Sequence, residues 1–363
     1  MTLVLDQSVV GPATHAMVIG VGDYPHLLGG DGPLYPDHGG MEQLSSPSHS
    51  ARAMADWLLT RYRNPDKPLA TLDLFLSDKD NQDYAPHGSA AAPVEIQRAM
   101  MEHVKPAVKA WKARGDGSTE HLMIFFFCGH GVAQGYQNTL LLEDFGADHE
   151  EPYAGAIDFG NFHLGMARCQ AHQQCYFVDA CRSYSLELLA STEPGESIIK
   201  GSALFAPSAQ RSAPAYLSAV PGNPAFGRAG QPSLFTAALL QALEGAGADD
   251  YEGDWRIYPG SLHDGIVHIM QRVTRHNPEL GAQVCELQHK PPRFSMHHLD
   301  GPPLVPVDIT CDPSDANDIA DMAYTGGGAP VHRDAPDATE WFVDLEEGDY
   351  IFSAEFPPGS AYI

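Results

Sequence analysis

The chain has 363 residues, enough for one large α/β domain with a small module beside it, or for two medium domains. Apolar residues make up 43% and charged residues 19%, a globular composition that excludes wholesale disorder. The net charge of −26 argues against binding to DNA, RNA or an anionic membrane, because neutralising phosphates takes clusters of Lys and Arg, and it favours cationic partners. A generally acidic or salt-adapted proteome would give the same charge, and composition alone leaves both readings open.

The first strand is expected at 15–22 (HAMVIGVG), closed by glycine and Asp23. The Gly/Pro/His-rich stretch 29–48 is too long for a plain connector, which marks it for function. A helix starts near Ser48, a strand follows at 72–78, and a long helix that Pro106 kinks is expected over 94–115. The runs 121–128 (HLMIFFFC) and 173–181 (QQCYFVDAC) are apolar almost throughout, the mark of strands buried on both faces of a parallel sheet, and 202–208 is a third. Helices resume at 233–243 and 261–273, where Leu262, Ile266, Ile269 and Val273 share one face. Strands alternating with helices predict an α/β sheet with right-handed crossovers.

Near residue 300 the pattern changes to period two: Val307/Ile309/Cys311, Trp341/Val343/Leu345 and Tyr350/Phe352/Ala354/Phe356, with a turn at 346–349 between the last two runs. The expected organisation is therefore a domain over 1–300 and a small antiparallel β module over 301–363. No signal peptide or membrane-length apolar run is read, and the six cysteines form no CxxC pair, which points to reduced thiols in the cytoplasm. The 18 histidines include no HExxH, and the spacing of Asp312, Asp315, Asp318 and Asp321 fits no EF-hand loop, so neither a metal nor a cofactor is expected.

Two strands run into residues that carry chemistry: Cys128-Gly129-His130-Gly131 and Asp179-Ala180-Cys181-Arg182. In an open parallel sheet, sites gather at the carboxyl ends of strands, so neighbouring strands would deliver His130 and Cys181 to one edge. A thiol beside an imidazole is a nucleophile with its activating base. The amides of Gly131 and Cys181 are candidates for an oxyanion hole.

FFFCGHG resembles the F/Y-F/Y-S-G-H-G element of caspases, metacaspases and their bacterial relatives, and VDACRS resembles their nucleophile element. Here His130 and Cys181 stand 51 positions apart, and the family places its His about 50 residues upstream of the Cys. MVIGVGDYP and the stretch from ALFAPSAQRSAPAY to GQPSLFTAALLQALEGAGAD extend the likeness over roughly 13–298. The resemblance implies a three-layer α/β/α caspase-like fold with a mostly parallel central sheet. It further implies a cysteine endopeptidase with Cys181 as nucleophile and His130 as base and then acid. Three departures matter: Cys128 replaces the usual Ser and is expected to face inward, Ser50 stands where a metacaspase-type Asp is expected, and Asp179 replaces the caspase Gln that lines the substrate pocket.

A carboxylate at surface-like dielectric attracts a cation at 4 Å by roughly 4 kcal/mol before desolvation, so Asp179, with Asp23 as second acid, predicts cleavage after Arg or Lys. Arg211 and Arg228 are candidate self-cleavage sites in a Pro/Gly/Ser-rich stretch. The expected partners are proteins or peptides with basic residues. An upstream activating protease is the expected partner of a zymogen in a bacterial stress or defence pathway. A catalytically silent caspase-fold binding module is the alternative.

Overall fold

The computed structural model describes residues 2–134, 137–181, 183–184, 195–201, 210–219, 230–251, 253–276, 283–289, 294–333, 336, 340–346 and 348–362. Its centre is a seven-stranded sheet. The strands are β1 (Leu3–Asp6), β2 (Thr14–Val21), β3 (Leu69–Ser77), β4 (Leu122–Gly129), β5 (Gln173–Ala180), β6 (Ala215–Leu217) and β7 (Glu286–Gln288), in the order β1-β3-β2-β4-β5-β6-β7. The strands from β3 across to β6 run parallel, and antiparallel β1 and β7 close the two edges.

The all-apolar β4 shows why this sheet has two covers. Met123, Phe125 and Phe127 point to a core shared with α2 (Met101–Gly115) and α3 (Phe159–Gly165), through Val104, Val108, Trp111 and Phe162. Ile124, Phe126 and Cys128 point to a second core with α1 (Ser46–Thr60), α4 (Leu234–Gln241) and α5 (Pro259–His276), through Met54, Leu58, Leu239 and Ile266. Alternate side chains thus bury on opposite faces, and neither face is left to water. Connections run from β2 to β3 on one side and then to β4 on the other, so the strand order reverses between β2 and β4. Ligand sites in open α/β sheets gather at such a reversal.

The helix expected over 94–115 is shorter. Residues 96–100 are drawn instead into backbone bonds with the end of β3 and residue 82: Leu76 N–H donates to Gln97 O, Ile96 N–H to Gln82 O, and Ala99 N–H to Ser77 Oγ. The helix begins at Met101, whose N–H the Asp144 carboxylate accepts at 3.1 Å, a cap supplied from far along the chain. The strand expected at 202–208 lies outside the described residues, and the strand beside β5 is Ala215–Leu217.

Near the end of the chain, Trp341–Leu345 and Ile351–Glu355 do not form a hairpin despite the turn between them. Trp341–Leu345 pairs with Val305–Ile309, and Ile351–Glu355 pairs with Asp321–Thr325, a strand without an alternating apolar pattern long enough to read. Arg272 on α5 ties the first pair to the large sheet's helices, with an ion pair to Asp308 and its guanidinium 4.4 Å from the centre of the Phe342 ring.

Replacing Asp144 with Ala removes the acceptor for the first turn of α2. Denaturant unfolding is expected to show a loss of about 1 kcal/mol, the usual worth of a helix cap. An unchanged unfolding midpoint would mean that the carboxylate does not cap the helix.

Candidate active site

β4 and β5 lie in parallel register, Asp179 opposite Cys128 and Ala180 opposite Gly129. Past the strand ends the chains stay side by side, since Ser183 pairs with Val132. The offset between partners is 51 residues, the separation of His130 and Cys181. His130 and Cys181 are therefore the next two residues out of neighbouring strands. The contact between the segments is close: a Cβ on Gly131 would lie 2.7 Å from the Cys181 carbonyl oxygen and 2.9 Å from the Ala180 Cβ. Only glycine fits there, and its backbone stands beside that of Cys181.

Cys181 is half-buried and not in a disulfide. His130 is buried, and its Nε2 lies 2.7 Å from the Glu42 carbonyl oxygen. A carbonyl only accepts, so Nε2 carries the proton and Nδ1 is left as the basic nitrogen. Burial lowers the imidazole pKa below its ordinary 6.5, with the Glu42 bond opposing, so the resting ring is neutral near pH 7. The His130 backbone N–H donates to the hydroxyl of Tyr24 at 2.7 Å, that hydroxyl donates to Leu141 O at 3.1 Å, and the two rings are 4.8 Å apart. Gly129 is glycine for the same reason as Gly131: a Cβ there would meet the Tyr24 hydroxyl at 2.8 Å.

Asp179 is buried on the α1/α4 side of the sheet. Its Oδ2 accepts from Thr236 Oγ1 at 2.6 Å, from Ser233 Oγ, and from the Cys128 thiol at 3.4 Å. Ser233 caps α4 and donates its own N–H to Ser50 Oγ, so the Ser at position 50 joins this network. Among the described residues no Lys or Arg pairs with Asp179. Burial raises its pKa, and hydroxyl and thiol donors oppose the rise. Cys128 faces inward as expected, its own pKa pushed up first by burial and then by the Asp179 charge.

Asp23 is not the second acid of this pocket. Its carboxylate is paired with Arg98, which also holds Glu143, just ahead of α2 on the opposite face of the sheet. The sequence offers no sign of that partner, 75 residues away. Arg211 is not a free loop arginine either. It donates to His163 O and Gln174 Oε1 at 3.0 Å, and the neighbouring Ser212 is paired with β5, so cutting after Arg211 would first require tearing it from the sheet. Arg228 and Arg182 lie outside the described residues. Tyr24, Glu42, Ser233 and Thr236 carry no motif that marks them in the sequence. The only signal for Glu42 was the unusual length of the 29–48 stretch.

Among the described residues no three His, Cys, Asp or Glu side chains gather to hold a metal ion, and no helix is long and apolar enough to cross a membrane. A concave groove lined by Arg61, Arg63, His297 and Asp344 contains neither member of the pair, so chemistry rather than concavity locates the site.

A family model described as the caspase domain matches residues 13–291. A curated relative, the uncharacterized protein y4kE of Sinorhizobium fredii, is 29% identical over 209 residues, 53% of this chain. The match spans 58% of that relative's length. Protein GSU0716 of Geobacter sulfurreducens aligns with a TM-score of 0.46 at 13% identity, over 81% of this chain and 100% of that one. Caspase-1 of Spodoptera frugiperda aligns with a TM-score of 0.43 at 12% identity, over 80% of this chain and 91% of its own.

Gly131→Ala is expected to drive the Cys181 carbonyl away and lower the alkylation rate of Cys181 by iodoacetamide at least about 10-fold, as misplaced reacting groups do. Peptide mapping of the alkylated protein measures this, and a rate equal to wild type would mean that the close approach does not matter.

Proposed function

Because the chain belongs to the caspase-domain family, and so carries a cysteine-peptidase fold, we propose that it is an endopeptidase that cuts after Arg or Lys. Cys181 is the nucleophile. As its sulfur adds to the scissile carbonyl, the thiol proton passes to Nδ1 of the neutral His130. The amides of Gly131 and Cys181 receive the oxyanion. His130 then gives its proton to the departing amine, and a water molecule deprotonated by His130 releases the acyl group. The observation that carries this reading is the common register that sets Cys181 beside an imidazole whose other nitrogen is tied to the Glu42 carbonyl.

The basic preference rests on Asp179 alone. It is a buried carboxylate surrounded by hydroxyls, with no cation among the described residues. A substrate guanidinium or ammonium supplies the missing charge, and a substrate carboxylate is repelled. The chain's net charge of −26 steers basic substrates toward it.

An Arg-containing fluorogenic peptide is expected to be cleaved with kcat/KM about 10²- to 10³-fold above its Asp counterpart, as roughly 4 kcal/mol of attraction implies. Asp179→Asn should lose most of that preference while keeping the Cys181 alkylation rate. Preference for the Asp peptide would overturn the pocket assignment, and turnover that survives Cys181→Ala would overturn the nucleophile. The acid limb of kcat/KM is expected below pH 6.5, because burial makes the His130 ring harder to protonate. A limb well above pH 6.5 would contradict a neutral resting base. Latency relieved by a cut at Arg228 belongs to the same proposal, supported by its Gly/Pro-rich surroundings. Intact mass before and after activation decides it, and full activity of the unbroken chain would refute it.

A further inference from the structure

His130 is held at two points, its backbone amide and its ring, and both holds come from the segment that follows β2. The amide is bonded to the Tyr24 hydroxyl and the ring to the Glu42 carbonyl. Those two partners are eighteen residues apart in sequence, and Gln43 ties one to the other. The Gln43 side-chain amide lies against the backbone of Tyr24 as a strand would. Its Oε1 accepts the Tyr24 N–H at 2.8 Å, and its Nε2 donates to Tyr24 O at 2.9 Å and to Leu28 O at 3.1 Å. Leu44 N–H adds a bond to Gly22 O at 2.9 Å, and Leu28 is bridged to Glu42. Tyr24 and the 41–44 segment are therefore one unit, and His130 hangs from both of its ends.

We propose that Tyr24 and Gln43 are positioning residues that hold His130 as the Nε2–H tautomer with Nδ1 as its base, Gln43 by fixing the Glu42 carbonyl and Tyr24 by fixing the His130 peptide. The proposal rests on the reading of His130 as the base for Cys181. Neither residue supplies a proton to the reaction. Tyr24 is fully buried and burial pushes its phenol well above the ordinary range, so it relays hydrogen bonds and does not titrate. Without Gln43 the Glu42 carbonyl loses one of its anchors, its hold on the ring nitrogen loosens, and the Nδ1–H tautomer gains population.

The test uses the full chain with Gln43→Met, which keeps the volume and removes all three hydrogen bonds, and separately with Tyr24→Phe. The first readout is the 15N spectrum of the imidazoles, with His130 identified by its loss in His130→Gln. Wild type should show protonated Nε2 and unprotonated Nδ1 for this residue, and each variant a mixture. The second is kinetics on the Arg peptide: kcat lower by about 10- to 100-fold with KM unchanged within about twofold. Thermal unfolding is followed alongside. A variant that melts earlier yet keeps the wild-type tautomer and kcat overturns the proposal, because a structural brace alone would do that. Should Gln43→Met fail to fold, Tyr24→Phe decides by the same two readouts. If the wild-type chain shows no Cys181-dependent turnover, the peptidase reading fails, and the tautomer measurement still decides the positioning role.

Discussion

Parallel strands in a fixed register carry their ends to a common level, and in this protein that constraint does the chemical assembly. β4 and β5 are locked side by side over their whole lengths by buried side chains on both faces, and sliding one by a single residue would turn Phe125 and Phe127 toward the wrong core. The register that packing enforces is also what sets Cys181 next to His130. Stability and alignment are thus the same interaction: the hydrophobic contacts of Ile124, Phe126, Phe177 and Cys175, far from the site, determine where the thiol stands.

The two charged centres near the sheet's end are handled in opposite ways. Asp23 and Glu143 are compensated internally by Arg98, and Ser77 adds a bond to Glu143 at 2.6 Å. Asp179 is given hydrogen-bond donors and, among the described residues, no cation. Burying a carboxylate on hydroxyl and thiol donors alone is costly. That contrast within one molecule separates acids paired with an arginine from an acid held by neutral donors.

Much of this was legible in the sequence, and the legible parts share a cause. The continuous apolar runs of β4 and β5, and the glycines flanking His130, are local statements, and each is enforced by neighbours within the strand pair. The spacing of His130 and Cys181 could be read because it equals the register offset. What stayed hidden is long-range and polar. Nothing in GVGDYP announces that Asp23 belongs to Arg98 while the next residue belongs to His130. The late start of α2 is invisible because its cap comes from Asp144, and the strand pairing after residue 300 is not legible because turn residues in sequence do not say which strands pair.

Burial of the thiols has a practical corollary. Cys128, Cys169, Cys175 and Cys285 are all buried and their pKa values are raised, which leaves Cys181 and Cys311 as the half-buried sulfurs of the native chain. With Cys311 removed, the folded protein becomes a single-address scaffold: Cys181 is the one half-buried sulfur left for an electrophile, dye or cross-linker, and the yield of labelled protein counts the chains in which that thiol can be reached.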